Sequence, residues 1–274
     1  SNLNVIRRYL SRCWLDTSEI YDFNAAMHLV EPINGHISIW GEGPIWHNGT
    51  LLYVDIEGHN VIQLSPETGE EKIWPVGERV GTVVPRASGG MVIAGDNGFS
   101  FLSETGDLTK IADPEPAKPN NRFNDGKCSP DGHFFAGTIS LVKEKGDASL
   151  YRLSKDGDVK EVYPGVTNSN GITWSADGKT MFYIDTPSLS VLAFDYQDGE
   201  ISKPRKVVDN SATSASPDGM AIDEDDNHWV AFCHGACVIC YHSKTGEELR
   251  RIDIPCRETT ACAFGGENLD TLYV

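Results

Sequence analysis

The sequence predicts an all-β protein: a six-bladed β-propeller with four-stranded blades, and a short N-terminal helix outside the ring. Three observations carry that prediction. Short apolar runs alternate with turn dipeptides, related segments recur at a near-constant interval, and the first 26 residues share neither feature. The runs at 51–56, 91–94, 133–138 and 181–185 follow Asn48-Gly49, Gly89-Gly90, Asp131-Gly132 and Asp177-Gly178, and those at 228–232 and 271–274 follow Asp225-Asp226-Asn227 and Asn268. Asn-Gly and Asp-Gly tolerate the positive φ of a tight hairpin, so each run reads as a strand led in by a turn. Third strands are expected at 61–64, 99–102, 149–153, 191–195 and 238–241, and fourth strands at 71–74, 108–112, 159–163, 205–208 and 249–254.

Upstream of each hairpin lies a related segment, marked by Glu42, Thr82, Asn124, Asn170, Asp218 and Ala261. These anchors are 40 to 48 residues apart, the period of a propeller blade. A β-sandwich of equal strand number has no reason to repeat at fixed spacing. The sixth repeat starts near Thr260 and has room for only two strands before Val274. Residues 28–40 are expected to supply one or two more and close the ring. A missing outer strand predicts that the natural chain runs past Val274. Residues 1–26 form an extension and 27–274 the propeller domain. Within the extension Val5, Ile6, Tyr9, Leu10, Cys13 and Trp14 share one helical face, which predicts the amphipathic helix.

Composition excludes several partners. With 23 Lys plus Arg against 40 Asp plus Glu, the formal charge is −17, which repels phosphate backbones and anionic membrane surfaces. No apolar run approaches the roughly 18 residues of a membrane span. Seven cysteines, an odd number in a chain large enough to bury a core, argue against a disulfide framework. With no secretory leader in the sequence, this predicts a reducing, cytoplasmic setting.

Propeller geometry brings the innermost strands to a central channel, so the polar anchors Glu42, Asn124, Asn170 and Asp218 are expected to converge from four blades. Buried carboxylates there are costly unless paired, and a cation would pair them. Carboxylate and amide oxygens are hard ligands suited to Ca²⁺, Mg²⁺ or Mn²⁺. The competing reading is that Asn170-Gly171 and Asp218-Gly219 are merely turns.

The motifs Gly41-Glu42-Gly43-Pro44-Ile45-Trp46, Asn121-Arg122-Phe123-Asn124-Asp125-Gly126-Lys127 and Asn170-Gly171-Ile172-Thr173-Trp174-Ser175 appear in order along the chain. Pro217-Asp218-Gly219-Met220-Ala221-Ile222-Asp223 and Cys262-Ala263-Phe264-Gly265-Gly266 follow them. On these five the sequence resembles the senescence-marker-protein, regucalcin and gluconolactonase family of six-bladed propellers, from about His28 to Val274. The resemblance implies that Glu42, Asn170 and Asp218 bind one divalent cation, Ca²⁺ first, with Mg²⁺, Mn²⁺, Zn²⁺ and Fe²⁺ as alternatives. It implies Asp218 as general base, and Asn124 and Arg122 as substrate-binding residues. The implied reaction is hydrolysis of a lactone, a sugar-acid lactone or related cyclic ester. One departure concerns the substrate: sugar-lactone members carry a glutamate near the position of Val142, and its loss removes a hydroxyl acceptor. A non-catalytic Ca²⁺-binding or ligand-binding propeller and an organophosphate hydrolase are the alternative functions.

Other features are expected to be structural. The spacing of Cys233, Cys237 and Cys240, with His228 and His242 nearby, does not suit a paired-hairpin zinc site, and such cysteines are common buried hydrophobes. His234 follows an inner strand where the family more often has glycine; it is read as structural or surface, with the channel as the alternative. Trp46, Trp174 and Trp229 are expected between blades. The acidic run 223–226 is read as a solvated turn.

Overall fold

A computed structural model describes residues 7–9, 30–33 and 36–274. Five antiparallel four-stranded blades follow one another along the chain. The first comprises Gly41–His47, Thr50–Asp55, Asn60–Leu64 and Glu71–Pro75. The second comprises Val80–Pro85, Met91–Gly95, Gly98–Leu102 and Leu108–Ala112. The third runs through Asn121–Cys128, Phe134–Ser140, Ala148–Leu153 and Val159–Val166. Ser169–Trp174, Thr180–Asp185, Ser190–Gln197 and Glu200–Asp209 make the fourth. Ser216–Ile222, His228–Cys233, Cys237–Tyr241 and Glu248–Asp253 make the fifth.

The expectation of six such blades and an N-terminal helix is corrected. After the fifth blade the chain forms only Ala263–Gly265 and Thr271–Tyr273, three residues each. Their sheet is completed by Arg7–Tyr9 and Val30–Pro32, with Arg7–Tyr9 parallel to both neighbours, unlike any blade. Regular spacing of the anchors did not reveal that the last one leads no full series of hairpins. Arg7–Tyr9 lies inside the stretch expected to be helical. Its backbone covers the open edge of Thr271–Tyr273, a demand that periodicity in the extension does not register. The rest of the expected helix lies outside the described residues. Among those, the one helical turn is the 3₁₀ turn Thr186–Ser188, and no helix is long and apolar enough to cross a membrane.

The apolar core is divided into wedges between neighbouring sheets. Val54, Val61, Val83 and Ile93 fill the first wedge, and Phe99, Phe123, Phe134 and Tyr151 the next. In the latter, the Phe99 ring lies 4.5 Å from Phe123 and 5.6 Å from Phe134. Trp46 stacks on Tyr273 at 5.4 Å, Trp174 packs edge-on against Phe135 at 5.4 Å, and Trp229 meets Phe264 at 5.6 Å, so all three tryptophans lie between sheets as expected. Full burial of one such side chain stabilises by about 1.5–3 kcal/mol. Because the apolar surface is spent between blades, the hub is left to the innermost strands.

Those strands share one irregularity. Their ladder to the second strand breaks between Glu42 and Ile45, Val80 and Thr82, Phe123 and Gly126, Ser169 and Ile172, and Pro217 and Met220. A bulge re-aims side chains that a regular strand would send to alternate faces. Gly43 sits in one with φ +57°, a conformation most residues avoid. At Gly81 a Cβ would lie 2.4 Å from the Phe123 carbonyl oxygen and 2.5 Å from that of Asn124.

A second recurring device anchors the segment that enters each innermost strand. In the first blade, Asp55 accepts the N–H groups of Trp40 at 2.9 Å, Ile39 at 3.0 Å and Gly58 at 3.0 Å, and its other partner is His36 Nε2 at 3.0 Å. Asp96 accepts from the Arg79 N–H at 3.1 Å, and Asp185 from those of Asn168 at 2.8 Å and Thr167 at 3.2 Å.

Two outcomes follow. Gly81→Ala should destabilise the fold by about 1–3 kcal/mol, because the backbone it meets has no flexible end to move aside; denaturant unfolding measures this. Asp55→Asn should destabilise at neutral pH by a similar amount. Burial alone would raise the Asp55 pKa, but the Trp40 N–H, His36 and the Ile39 and Gly58 N–H groups outweigh it and hold the carboxyl below its ordinary 3.8. A depressed folded-state pKa contributes stability that is complete above 3.8 and is lost as pH falls through the folded value. The gap between wild type and Asp55→Asn should therefore shrink as unfolding is followed from pH 7 into that acid range.

Candidate functional site

The bulged innermost strands deliver their polar side chains to one cavity of about 550 Å³ at the hub. Glu42 comes from the first blade, Arg122 and Asn124 from the third, Asn170 from the fourth and Asp218 from the fifth; all five line it. Each is buried, at 2 to 7% exposure. The second blade presents Gly81 at the corresponding place, and its missing side chain admits the Phe123 and Asn124 backbone.

A chain of hydrogen bonds fixes the two amides. Arg122 Nη1 donates to Asn124 Oδ1 at 2.8 Å and to the Phe123 carbonyl at 2.8 Å. Asn124 Nδ2 donates to the Ser169 carbonyl at 2.7 Å and to Asn170 Oδ1 at 3.0 Å, with Asn168 Oδ1 at 3.3 Å. Asn170 Nδ2 donates to Thr186 Oγ1 at 2.7 Å, and that hydroxyl donates onward to the Pro217 carbonyl at 2.8 Å. The assigned orientation of Asn170 thus follows from its neighbours, with the amide oxygen on the Asn124 side. Thr186, on the 3₁₀ turn, ties the fourth blade to the fifth.

The carboxylates are less well served. Glu42 Oε2 accepts the Gly43 N–H at 3.1 Å. Asp218 Oδ1 is buried with no hydrogen-bond partner. Burial raises the pKa of Asp218 well above its usual value, and the nearby charges of Glu42 and Asp125 add to this, against the Gly219 N–H and Arg122. Burial, then Asp125, pushes Glu42 up to about 8, with the Gly43 N–H and Arg122 opposing. Three acids and one guanidinium therefore share a buried hub, and the acids repel one another.

These residues fit a divalent cation. The donors are oxygens, one carboxylate oxygen has no partner, and the local negative charge exceeds what Arg122 offsets. Glu42, Asn170 and Asp218 could hold it.

Other residues at the hub were not singled out from the sequence. Asp125 is 8% exposed, accepts the Gly126 N–H at 2.7 Å and is raised in pKa by burial, although Lys127 opposes. Its place beside Asn124 in the bulge was the available signal. Lys143 and Lys145 line the cavity, whereas Val142 is 59% exposed outside it. The turn after Phe134–Ser140 thus presents ammonium groups rather than a carboxylate. His234, expected to be structural or at the surface, lines the cavity beside Cys233 and lies 2.6 Å from Glu258 through Nδ1. Cys237 and Cys240 are buried in the fifth blade, as expected of small hydrophobes.

Comparison with known proteins agrees with this architecture. The profile described as SMP-30/Gluconolactonase/LRE-like region matches residues 40–274. Regucalcin of Xenopus laevis is 40% identical over 244 residues, 85% of this chain and 82% of that protein. A Bacillus subtilis protein named putative sugar lactone lactonase YvrE is 35% identical over 242 residues, 86% of this chain and 83% of its own. The crystal structure of a calcium-binding protein, regucalcin, from Agrobacterium tumefaciens superposes with a TM-score of 0.80 at 26% identity, covering 85% of this chain and 80% of that one. With its blades, its hub and this extent of similarity, the chain belongs to the SMP-30/gluconolactonase/LRE-like family.

Proposed function

We propose that the protein is a divalent-cation-dependent lactonase, with Asp218 as general base. The observation that carries this reading is the buried, unpartnered Oδ1 of Asp218, a residue that lines one cavity with Glu42, Arg122 and Asn124. A purely structural carboxylate at 7% exposure would be expected to have its oxygens hydrogen-bonded. The similarity to a protein named as a sugar lactone lactonase supports the substrate class, and that to a protein described as calcium-binding supports Ca²⁺ as the ion.

A divalent cation held by Glu42, Asn170 and Asp218 would supply Lewis-acid polarisation of the lactone carbonyl and offset the repulsion among the acids. Around it the chain does the rest. Asp218 accepts a proton as a water molecule adds to the carbonyl carbon. The ring C–O bond then breaks, and the proton passes to the departing ring oxygen, giving a hydroxy acid. Asn124, braced between Arg122 and the Ser169 carbonyl, is fixed for hydrogen bonding to substrate. The wall carrying Lys143 and Lys145 attracts the carboxylate that hydrolysis creates. Sugar-acid lactones and less hydroxylated cyclic esters both suit it.

Hydrolysis of a panel of sugar and aliphatic lactones, by chelator-treated protein resupplied with Ca²⁺ or Mn²⁺, tests the reading. Asp218→Asn should lower kcat/KM by at least about 10²-fold, as loss of a general base does. In chelator the same variant should melt above the wild type, because it removes an acid that burial, Glu42 and Asp125 make costly to ionise. Lactone turnover that survives both chelation and Asp218→Asn would overturn the mechanism.

A further inference from the structure

In three blades a carboxylate at the end of the second strand secures the segment entering the innermost strand: Asp55, Asp96 and Asp185. The fifth blade departs from this pattern. Cys233, the last residue of the second strand, pairs with Ser216, the first of the innermost, as Asp55 pairs with Gly41 and Asp185 with Ser169. A thiol is a poor acceptor for backbone N–H groups, so the residue at this position is released from that task. Its sulfur instead donates to Glu258 Oε2 at 3.3 Å, and the same oxygen lies 2.6 Å from His234 Nδ1. Glu258 belongs to the connection that leaves the fifth blade, and a bridge between its backbone and that of Cys233 holds it there.

Sulfur, ring nitrogen and carboxylate oxygen lie within 4.8 Å of one another. His234 reaches this position with φ 64°, in the left-handed region that a residue with a Cβ adopts at a cost. Cys233 is 6% exposed, and both it and His234 line the hub cavity. Burial pushes the Cys233 thiol up, with Asp218 adding to the effect, which does not suit a free thiolate nucleophile.

We propose that Cys233, His234 and Glu258 form a second cation site, at the rim of the hub cavity, for a thiophilic divalent ion of the zinc class. One sulfur, one imidazole nitrogen and one carboxylate oxygen form a donor set that zinc takes readily, in contrast to the all-oxygen hub. Around a tetrahedral zinc the donors stand roughly 3.3–3.8 Å apart, so the more distant donors need to close in and the 2.6 Å contact between His234 and Glu258 to open, each by about an ångström or less. On binding, the S–H bond breaks, a sulfur–metal bond forms and the proton leaves to solvent; His234 binds through neutral Nδ1 and Glu258 as carboxylate. No electron changes hands. Three protein ligands leave a fourth position for water or a cavity ligand. The proposal does not depend on lactone hydrolysis.

Cobalt titration of the full-length protein, with the hub first saturated by Ca²⁺, tests it. Co²⁺ should bind at one equivalent with a sulfur-to-metal charge-transfer absorption and release of a proton. Cys233→Ser should abolish that absorption, and His234→Ala should raise the Kd at least about tenfold. Cys128→Ser, which alters an exposed thiol elsewhere, and Asp218→Asn, which alters the hub, should leave it in place. Absence of the charge-transfer absorption in the wild type, or its survival in Cys233→Ser, would overturn the proposal.

Discussion

Mutual repulsion among Glu42, Asp125 and Asp218 in a buried hub is the constraint on which the rest of the molecule depends. Each acid is buried, each has a raised pKa, and the positive charges opposing them belong to Arg122 and Lys127. Burying a charge without a partner costs several kcal/mol, a sizeable part of a domain's net stability. The fold keeps these groups together because its apolar energy is gained elsewhere, in the wedges between sheets. A central apolar core would have left them no place.

The hub is assembled from a repeated irregularity. In a regular strand the side chains of Asn124 and Asp125 would point to opposite faces, yet both are buried and the charge of Asp125 acts on Glu42 and Asp218. The interrupted ladders and their glycines make this arrangement available. The amides are then held by a relay from Arg122 through Asn124, Asn170 and Thr186 to the Pro217 carbonyl, which crosses two blade boundaries. Rigidity at the hub therefore comes from contacts between blades as much as within them.

Much of this was legible in the sequence. Turn dipeptides and recurring anchors marked the hairpins and singled out Glu42, Asn124, Asn170 and Asp218 together, and each of these four lies at a bulge. Asp125 went unnoticed, since a regular strand sends neighbouring residues to opposite faces and the bulge suspends that rule. The anchor at Ala261 suggested a sixth blade, but anchor spacing carries no information about how many strands follow or whether they pair antiparallel. Arg7–Tyr9 read as helix because its apolar spacing was visible while its strand partners, 272 and 273, lie at the far end of the chain. Distance along the chain also hid Glu258 from Cys233 and His234. With Glu258 in place, two residues that had looked structural become two thirds of a donor set. Val142 had been weighed for the glutamate it replaces, whereas the cavity wall there is made by Lys143 and Lys145.

The central claim, that the hub acids and Asn170 are arranged around one divalent cation, is tested most directly by crystallography of the protein grown with Ca²⁺, using anomalous scattering to locate the ion. The account predicts a single peak at the hub, about 2.3–2.6 Å from oxygens of Glu42, Asn170 and Asp218. Calcium bound only at other positions, or a hub in which those three side chains share no ion, would contradict it.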